Sequence, residues 1–345
     1  MTSLGVERHA LPTPHPGAAP NRAPSISVAI AVYGCRDALP ELHQRVTAAL
    51  RQVTNNYEIV FVDDCSPDLA WAALRKLADQ DPHVKAVRLS RNFGQHAAIT
   101  AALAHCSGDW TVVMDCDLED RPEEIPRLYE KAMEGYDVVL ARRQERHTSR
   151  WRRALASIYF ALMRLVLGFQ QDGSYGTFSI MSRKVRDAFL AIRDKDRHFL
   201  FILHWLGFEQ TAIEVTQAPR HSGRSSYSFG RLLQHSIDGM FFQTTTLLRW
   251  IVTFGFLLAA SGGILAAVFI YLFLAAHPPA GWTSVIVAEL VIGGFIIMST
   301  GVTGIYIGKV FQQVKDRPLF VVDSRLNLED QVDHAEAAEP LASAL

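Results

Sequence analysis

Acidic side chains follow an apolar segment in the first half of the chain. The run at 110–114 leads into Asp115, Cys116, Asp117, Leu118, Glu119 and Asp120. Carboxylates at the end of a buried strand are costly to desolvate unless they meet a cation or hydrogen-bond donors. Asp115 and Asp117 lie two residues apart, so an extended backbone turns both toward one hard cation. The spacing predicts a divalent metal, Mg²⁺ or Mn²⁺, whose remaining ligands are diphosphate oxygens and water.

A solvated acidic turn is the alternative interpretation, because two aspartates at this spacing are common by chance. The neighbouring segments favour function. Apolar runs at 57–62 and 84–89 also end in polar residues, which are Asp63 and Asp64 after the first and Ser90, Arg91, Asn92, Phe93 and Gly94 after the second. Ser66 or Asp68 could cap the following helix without removing a ligand role for the aspartates. Three polar strand ends predict a crevice that binds a nucleotide diphosphate.

Strands and helices must alternate to bring these segments together. Short β-rich runs at 26–33, 57–62, 84–89, 110–114 and 137–141 alternate with helix-like stretches at 38–53, 68–80 and 94–105. Strict alternation is typical of βαβ units, so we expect an α/β fold with a mostly parallel sheet and helices on both faces. No GxGxxG sequence follows the first run, which disfavours a dinucleotide-binding version.

Composition limits the partners and the redox state. The 345 residues are 49% hydrophobic and carry a formal net charge of -1, which gives nucleic-acid binding no electrostatic support. The four cysteines are Cys35, Cys65, Cys106 and Cys116, and none is spaced as CxxC. We therefore expect reduced thiols in a cytosolic domain rather than disulfides or a zinc site.

Two long apolar segments near the C-terminus predict membrane helices. Residues 250–275 contain no charged side chain and residues 284–308 contain only Glu289, and each exceeds the ~20 residues that cross a bilayer. The connection 276–283 lacks Lys and Arg, whereas both outer flanks are basic. The positive-inside rule then predicts a multi-pass inner-membrane protein with both termini and the globular α/β domain in the cytoplasm. A GxxxG sequence at Gly304 and Gly308 could pack the two spans or form a homo-oligomer.

Several of these sequences together resemble one family. The protein is similar to family 2 glycosyltransferases of the GT-A fold, and more narrowly to polyprenyl-phosphate glycosyltransferases of the dolichol-phosphate mannose synthase and bactoprenol glucosyltransferase type. The resemblance spans about 26–320 and rests on AVYGCRDALPEL, VDDCSPD, LSRNFGQHAAITAAL, DCDLEDRPEEIP, GTFSIMSRKV, APRHSGRSSYSF and GIYIGKVFQQVKDRPLF. It implies a nucleotide diphosphate sugar donor, a polyprenyl phosphate acceptor, a divalent metal and a lipid bilayer around the spans.

The resemblance also implies roles for individual residues. The implied nucleotide-sugar site comprises Val32, Tyr33, Asp63, Asp64, Arg91, Asn92, Gly94 and Asp115. Asp115 and Asp117 are the implied metal ligands, and the candidate catalytic residues are Asp117, Arg142 and Thr177. The candidate lipid-phosphate site comprises Arg143, Arg220, Arg224 and Ser226, because an arginine fork suits a phosphate.

Two segments depart from the family pattern. Gly34 and Cys35 stand where relatives often have Asn-Glu, and Gly176, Thr177, Phe178, Ser179 and Ile180 stand where relatives commonly have GDFRL or GSFRL. An Asp there could act as a base, which Thr177 cannot do. An acceptor phosphate is already an anion, so its attack on the anomeric carbon needs alignment more than deprotonation. Transfer with inversion is therefore still expected.

The predicted organisation follows from these segments. It comprises a disordered leader at 1–24, a GT-A catalytic domain at 25–228, an interfacial helix at 229–249, membrane helices at 250–275 and 284–308, and a cytoplasmic tail at 309–345. Transfer of one sugar to an undecaprenyl-type phosphate is the leading function. A processive polysaccharide synthase ranks below it, because TLLRW at 246–250 only approximates QxxRW. A non-catalytic membrane adaptor remains open because of Cys35, Thr177 and Ser179.

Overall fold

The computed structural model describes residues 24–143, 175–195, 197–216, 251–257, single positions between 260 and 274, and 282–328. Several predictions therefore lie outside the described residues. These are the leader except its last residue, part of the membrane helix at 250–275, the interfacial helix at 229–249, and the phosphate-site residues Arg220, Arg224 and Ser226.

Eight strands form one mixed sheet in the order β7-β5-β6-β4-β1-β2-β3-β8. Their bounds are β1 Ile26–Val32, β2 Tyr57–Asp63, β3 Val84–Leu89, β4 Trp110–Asp115, β5 Val138–Arg143, β6 Tyr175–Ser182, β7 Gln210–Val215 and β8 Val322–Leu326. Of these eight strands, β6 and β8 run antiparallel to their neighbours. The prediction of a mostly parallel sheet is confirmed.

Helices cover both faces, as the sequence predicts. In order along the sequence they are α1 Leu39–Leu50, α2 Ala70–Gln80, α3 Gln95–Ala104, α4 Ile125–Ala132, α5 Arg183–Ala191 and α6 Phe199–Leu206. Strand side chains alternate between two buried clusters, one packed against α1, α2 and α4 and the other against α3, α5 and α6. The alternation follows from the two-residue period of a strand, which points successive side chains to opposite faces.

The sequence does not predict strand β8. It lies within the segment expected to be a tail, at 309–345, and it pairs antiparallel with β3. The Asn327 side-chain amide, just after β8, donates hydrogen bonds to the carbonyls of Ala78 and Val84 at 2.8 and 3.0 Å. The segment that follows the second predicted span thus returns to the sheet and covers its β3 edge.

The expectation of reduced thiols is wrong for two cysteines. Cys35, after β1, and Cys116, after β4, form a disulfide with Cα atoms 6.2 Å apart and 81 residues apart in sequence. Their separation in sequence gives no signal of this pairing. The two cysteines meet because they follow β1 and β4, which are adjacent strands. Cys65 and Cys106 carry free thiols, as expected.

A second unit comprises 149–171 and 225–316. Within it, α7 Trp282–Val314 contains the predicted span 284–308. Among the described residues, α7 is the one helix long and apolar enough to cross a membrane, over Val291–Phe311. Residues 251–257 are also helical, and the Phe254 ring lies 5.1 Å from that of Phe295 on α7.

Candidate functional site

The strand order reverses between β1 and β4, and the predicted site lies there. From β1 the polypeptide continues through β2 to β3 on one side, and β4 then joins β1 on the other side. Loops that leave neighbouring parallel strands in opposite directions open a crevice at the carboxyl edge of the sheet. The loop after β4 carries Asp115 and Asp117, and the loop after β1 carries Tyr33 and Cys35.

Asp115 is held by side chains from two other elements. Its Oδ1 accepts hydrogen bonds from the Thr177 hydroxyl at 3.0 Å and from the Gln95 side-chain amide at 2.9 Å. Both donors act on the same oxygen, which fixes the orientation of the carboxylate. Hydrogen bonds to a charged acceptor are stronger than those between neutral groups, so this arrangement stabilises ionised Asp115.

The sheet register explains why Thr177 meets Asp115. Strand β6 runs antiparallel to β4 and pairs Ser179 with Val113, so the start of β6 lies at the carboxyl end of β4. The Ser179 hydroxyl donates to the Thr177 carbonyl at 3.0 Å. The hydroxyl of Ser179 therefore turns back onto β6.

Despite the two hydrogen bonds to its side chain, the surroundings as a whole raise the pKa of Asp115. Burial raises the pKa of this carboxyl, and the neighbouring Asp117 carboxylate raises it further, while the Thr177 hydrogen bond and Arg143 act in the opposite direction. The Asp117 Oδ1 accepts the backbone N–H of Glu119 at 3.1 Å. Two adjacent half-buried carboxylates are a donor set that a divalent cation would relieve.

The described part of the sequence contains no group of three or more His, Cys, Asp or Glu side chains arranged to hold an ion. Asp115 and Asp117 stay predicted metal ligands, and their spacing suits an ion that takes its remaining ligands from diphosphate and water.

Asp64 contacts backbone rather than open space. Its two carboxylate oxygens accept the N–H groups of Phe93 and Gly94 at 2.7 and 2.9 Å. Burial raises the pKa of Asp64, and these two hydrogen bonds oppose the rise. Asp64 thus anchors the loop before α3, where Gly94 adopts a φ of +96° that favours glycine.

The loop after β2 also fixes the loop after β1. The Asp63 Oδ1 accepts the Ser66 N–H at 2.9 Å, and the Ser66 hydroxyl oxygen accepts the Gly34 N–H at 2.7 Å. The side chain of Val32 is fully buried, whereas Tyr33 is 55% exposed. Of these two predicted nucleotide residues, Tyr33 is the one whose side chain is exposed.

The other predicted residues that the structure describes lie at the same edge of the sheet. Arg91 and Asn92 are exposed after β3, and the Arg91 guanidinium lies 4.1 Å from the centre of the Phe93 ring. Arg142 and Arg143 end β5, Arg142 is exposed, and an Arg143 nitrogen lies 3.8 Å from buried Asp120. The carboxyl edge therefore carries both acidic and basic side chains.

Gln95 is a site residue that the sequence pattern does not reveal. It is the first residue of α3, and its side chain reaches Asp115 across the crevice. The signal that could identify it is position, because the first residue of a helix at the carboxyl edge of the sheet faces the ligand crevice. From sequence alone, a glutamine in a helix indicates only a solvent-exposed side chain.

Comparisons with known proteins extend these observations. The family described as Glycosyl transferase family 2 matches residues 27–190. The protein is 33% identical over 307 residues to an uncharacterized glycosyltransferase, YkcC, of Bacillus subtilis (strain 168), with a match that spans 88% of the present sequence and 95% of that protein. It is 35% identical over 302 residues to the undecaprenyl-phosphate 4-deoxy-4-formamido-L-arabinose transferase of Enterobacter sp. (strain 638), spanning 86% and 92%.

A solved structure also matches at low identity. The mannosyltransferase PcManGT from Pyrobaculum calidifontis, in complex with GDP-Man and Mn²⁺, is 15% identical to this protein with a TM-score of 0.44. The match spans 89% of the present sequence and 90% of the other.

Proposed function

This chain belongs to the family 2 glycosyltransferases and is an enzyme of that class, and from that premise we propose its reaction. We propose that it transfers one sugar from a nucleotide diphosphate sugar to an undecaprenyl-type polyprenyl phosphate. The relative from Enterobacter acts on undecaprenyl phosphate by its name, which supports this acceptor class. We further propose that the catalytic sheet has the GT-A arrangement.

One observation carries the donor part of this proposal. Asp115 is fixed through a single oxygen by Gln95 and Thr177, beside Asp117, at the point where the strand order reverses. A fixed carboxylate pair at a ligand crevice suits a cation bound to a diphosphate. Asp115 and Asp117 would hold Mg²⁺ or Mn²⁺, which supplies charge stabilisation to the leaving diphosphate.

The protein's own residues then bind and align the reactants. An oxygen of the acceptor phosphate attacks the anomeric carbon as the bond from that carbon to the diphosphate breaks, and the configuration inverts. The attacking phosphate is anionic near neutral pH, so no side chain must remove a proton. Thr177 donates its proton toward Asp115, which makes it a positioning residue in this mechanism rather than a base.

Basic side chains provide the acceptor site in this proposal. Arg142 and Arg143 at the end of β5 would meet the phosphate head group. Arg220, Arg224 and Ser226, which lie outside the described residues, are proposed to complete this site. A planar guanidinium can donate two hydrogen bonds to one phosphate, which suits an anionic acceptor.

Membrane attachment completes the proposed function. Helix α7 is long and apolar enough to cross a bilayer. We propose that a second span at 250–275 pairs with it, that 229–249 lies at the interface, and that the catalytic domain and both termini face the cytoplasm. Homo-oligomer formation through Gly304 and Gly308 is part of the same proposal.

The test is transfer of radiolabel from a panel of nucleotide sugars into an organic-extractable lipid. Membranes carrying the protein would be assayed with added undecaprenyl phosphate, with and without EDTA. We expect one donor to label the lipid, chelation to abolish the label, and Asp115→Asn or Asp117→Asn to reduce it at least ~100-fold, because each change removes a charged ligand. Label in a polymer rather than a lipid, or full transfer by both variants, would refute the proposal.

A further inference from the structure

The disulfide joins the two loops that flank the crevice where the strand order reverses. Cys35 follows β1 beside the exposed Tyr33, and Cys116 lies between Asp115 and Asp117. The cross-link therefore connects the loop proposed to contact the nucleotide with the loop proposed to hold the metal. Its position relates it to the donor site rather than to general stability alone.

The bond lies beneath the crevice. Both cysteines are only 7% exposed, and both belong to the buried cluster that includes side chains of α1, α2 and α4. A cross-link packed into the core does not occupy the space where a ligand would bind. It restrains the two loops from below, so its expected effect is to organise the site before the ligand arrives.

The loop after β4, which is proposed to bind the metal, contains a residue in an unfavourable backbone conformation that a restraint would help to hold. Leu118, two residues after Cys116, adopts a φ of +61° and is almost fully buried. Left-handed backbone is unfavourable for a residue with a side chain such as leucine, so the surroundings must hold it in place. The covalent bond at Cys116 is one of the contacts that can do so.

We propose that Cys35 and Cys116 are positioning residues whose reversible disulfide pre-organises the donor site, so that the oxidised enzyme binds the nucleoside diphosphate more tightly than the reduced enzyme. This inference rests on the proposed function. It is consistent with the proposed cytoplasmic orientation, because disulfides in reducing compartments are usually transient and redox-sensing rather than permanent.

The redox step balances with a small-molecule disulfide such as oxidised glutathione. One cysteine thiolate attacks that disulfide, forms a mixed disulfide and expels one thiol. The second cysteine thiolate then attacks the first cysteine's sulfur and expels the second thiol. The protein loses two electrons and two protons, and the small-molecule disulfide is reduced to two thiols.

The other two cysteines provide an internal comparison. Cys106 is a buried free thiol in the other core cluster, which packs against α3, α5 and α6. Cys65 is half-buried in the loop after β2 and carries a free thiol. Cys65→Ser is therefore a matched control that removes a thiol near the site without removing the cross-link.

The experiment measures binding of UDP, GDP, CDP and dTDP in the presence of Mn²⁺ by isothermal titration calorimetry. The full-length protein in detergent is compared after treatment with oxidised glutathione and after reduction with dithiothreitol. Alkylation and mass spectrometry count the free thiols in each sample. We expect reduction to raise the dissociation constant about tenfold, the scale of one or two loop side chains that must become ordered on binding.

Variants separate positioning from folding. Cys35→Ser and Cys116→Ser are expected to bind like the reduced protein under both treatments, with acceptor KM unchanged, whereas Cys65→Ser keeps the tenfold response. Reoxidation of the reduced protein should restore tight binding. Equal affinity in both states, with the bond verified by thiol counting, would refute the inference and leave the proposed function standing. Failure of every diphosphate to bind in either state would refute both.

Discussion

Replacing Thr177 by valine tests the proposed role of its hydroxyl most directly. Valine has nearly the shape of threonine, so the substitution removes one hydrogen bond to Asp115 without opening a cavity. That bond, at 3.0 Å, has a charged acceptor. Hydrogen bonds to charged groups contribute ~1.5–3 kcal/mol, and Gln95 still donates to the same oxygen. We therefore expect an effect at the lower end of this energy range, which corresponds to about a tenfold decrease in kcat/KM for the donor.

The assay is steady-state transfer with the donor sugar and Mn²⁺ varied independently. Thr177→Val should lower kcat/KM for the donor about tenfold and raise the Mn²⁺ concentration that gives half-maximal activity. Thr177→Ser keeps the hydroxyl and serves as the control, with activity close to wild type. The KM for the lipid acceptor should not change, because the acceptor is not bound by Asp115 in this proposal.

A double variant sharpens the test. Thr177→Val combined with Gln95→Leu leaves the Asp115 Oδ1 without either of these donors, and a half-buried carboxylate without donors is costly. We expect the double variant to lose more activity than the two single variants predict by addition. Wild-type kinetics for Thr177→Val, or an equally large loss for Thr177→Ser, would refute the reasoning.

Three further predictions concern stability and loop position. Burial, with His96 as a smaller cause, lowers the pKa of His198 from 6.5 to about 4, so the unfolded protein binds more protons between these pH values. Stability should fall by ~3 kcal/mol as pH drops from 6.5 to about 4, and urea titrations of His198→Phe should show a flatter profile. Asp64→Asn retains only one carbonyl oxygen for the two backbone N–H groups of Phe93 and Gly94. The KM for the donor should therefore rise, because the loop before α3 loses ~1–3 kcal/mol of hydrogen-bond stabilisation. An unchanged donor KM would contradict this role of Asp64. Asn327→Ala should lower amide-exchange protection in β3 by ~1–2 kcal/mol because it removes two hydrogen bonds, and unaltered protection would show that the Asn327 side chain does not stabilise that edge.

The sequence predicts the parts of this fold that depend on local pattern. Alternating apolar runs identify strands β1 to β5, and the polar residues at their ends place Asp63, Asp64 and Asp115 at one edge of the sheet. These inferences hold because parallel strands joined by helices have few possible arrangements.

Long-range pairing accounts for what the sequence does not predict. The Cys35–Cys116 bond joins residues 81 apart, and its geometry depends on β1 and β4 being neighbours. Gln95 becomes a site residue only because α3 starts at the carboxyl edge of the sheet, opposite Asp115. Strand β8 follows the apolar helix α7, and a polar segment in that position predicts a tail rather than a strand of the sheet.

The position of β8 in the sequence has a consequence for biosynthesis. A ribosome releases β3 long before β8, and α7 is synthesised between them. Until residues 322–326 emerge, the outer edge of β3 has unpaired backbone groups, which can pair with other polypeptides. The nascent catalytic domain therefore cannot finish folding until translation has passed the apolar helix. Synthesis of that helix and closure of the sheet edge become consecutive events, and the open edge of β3 stays exposed in the interval.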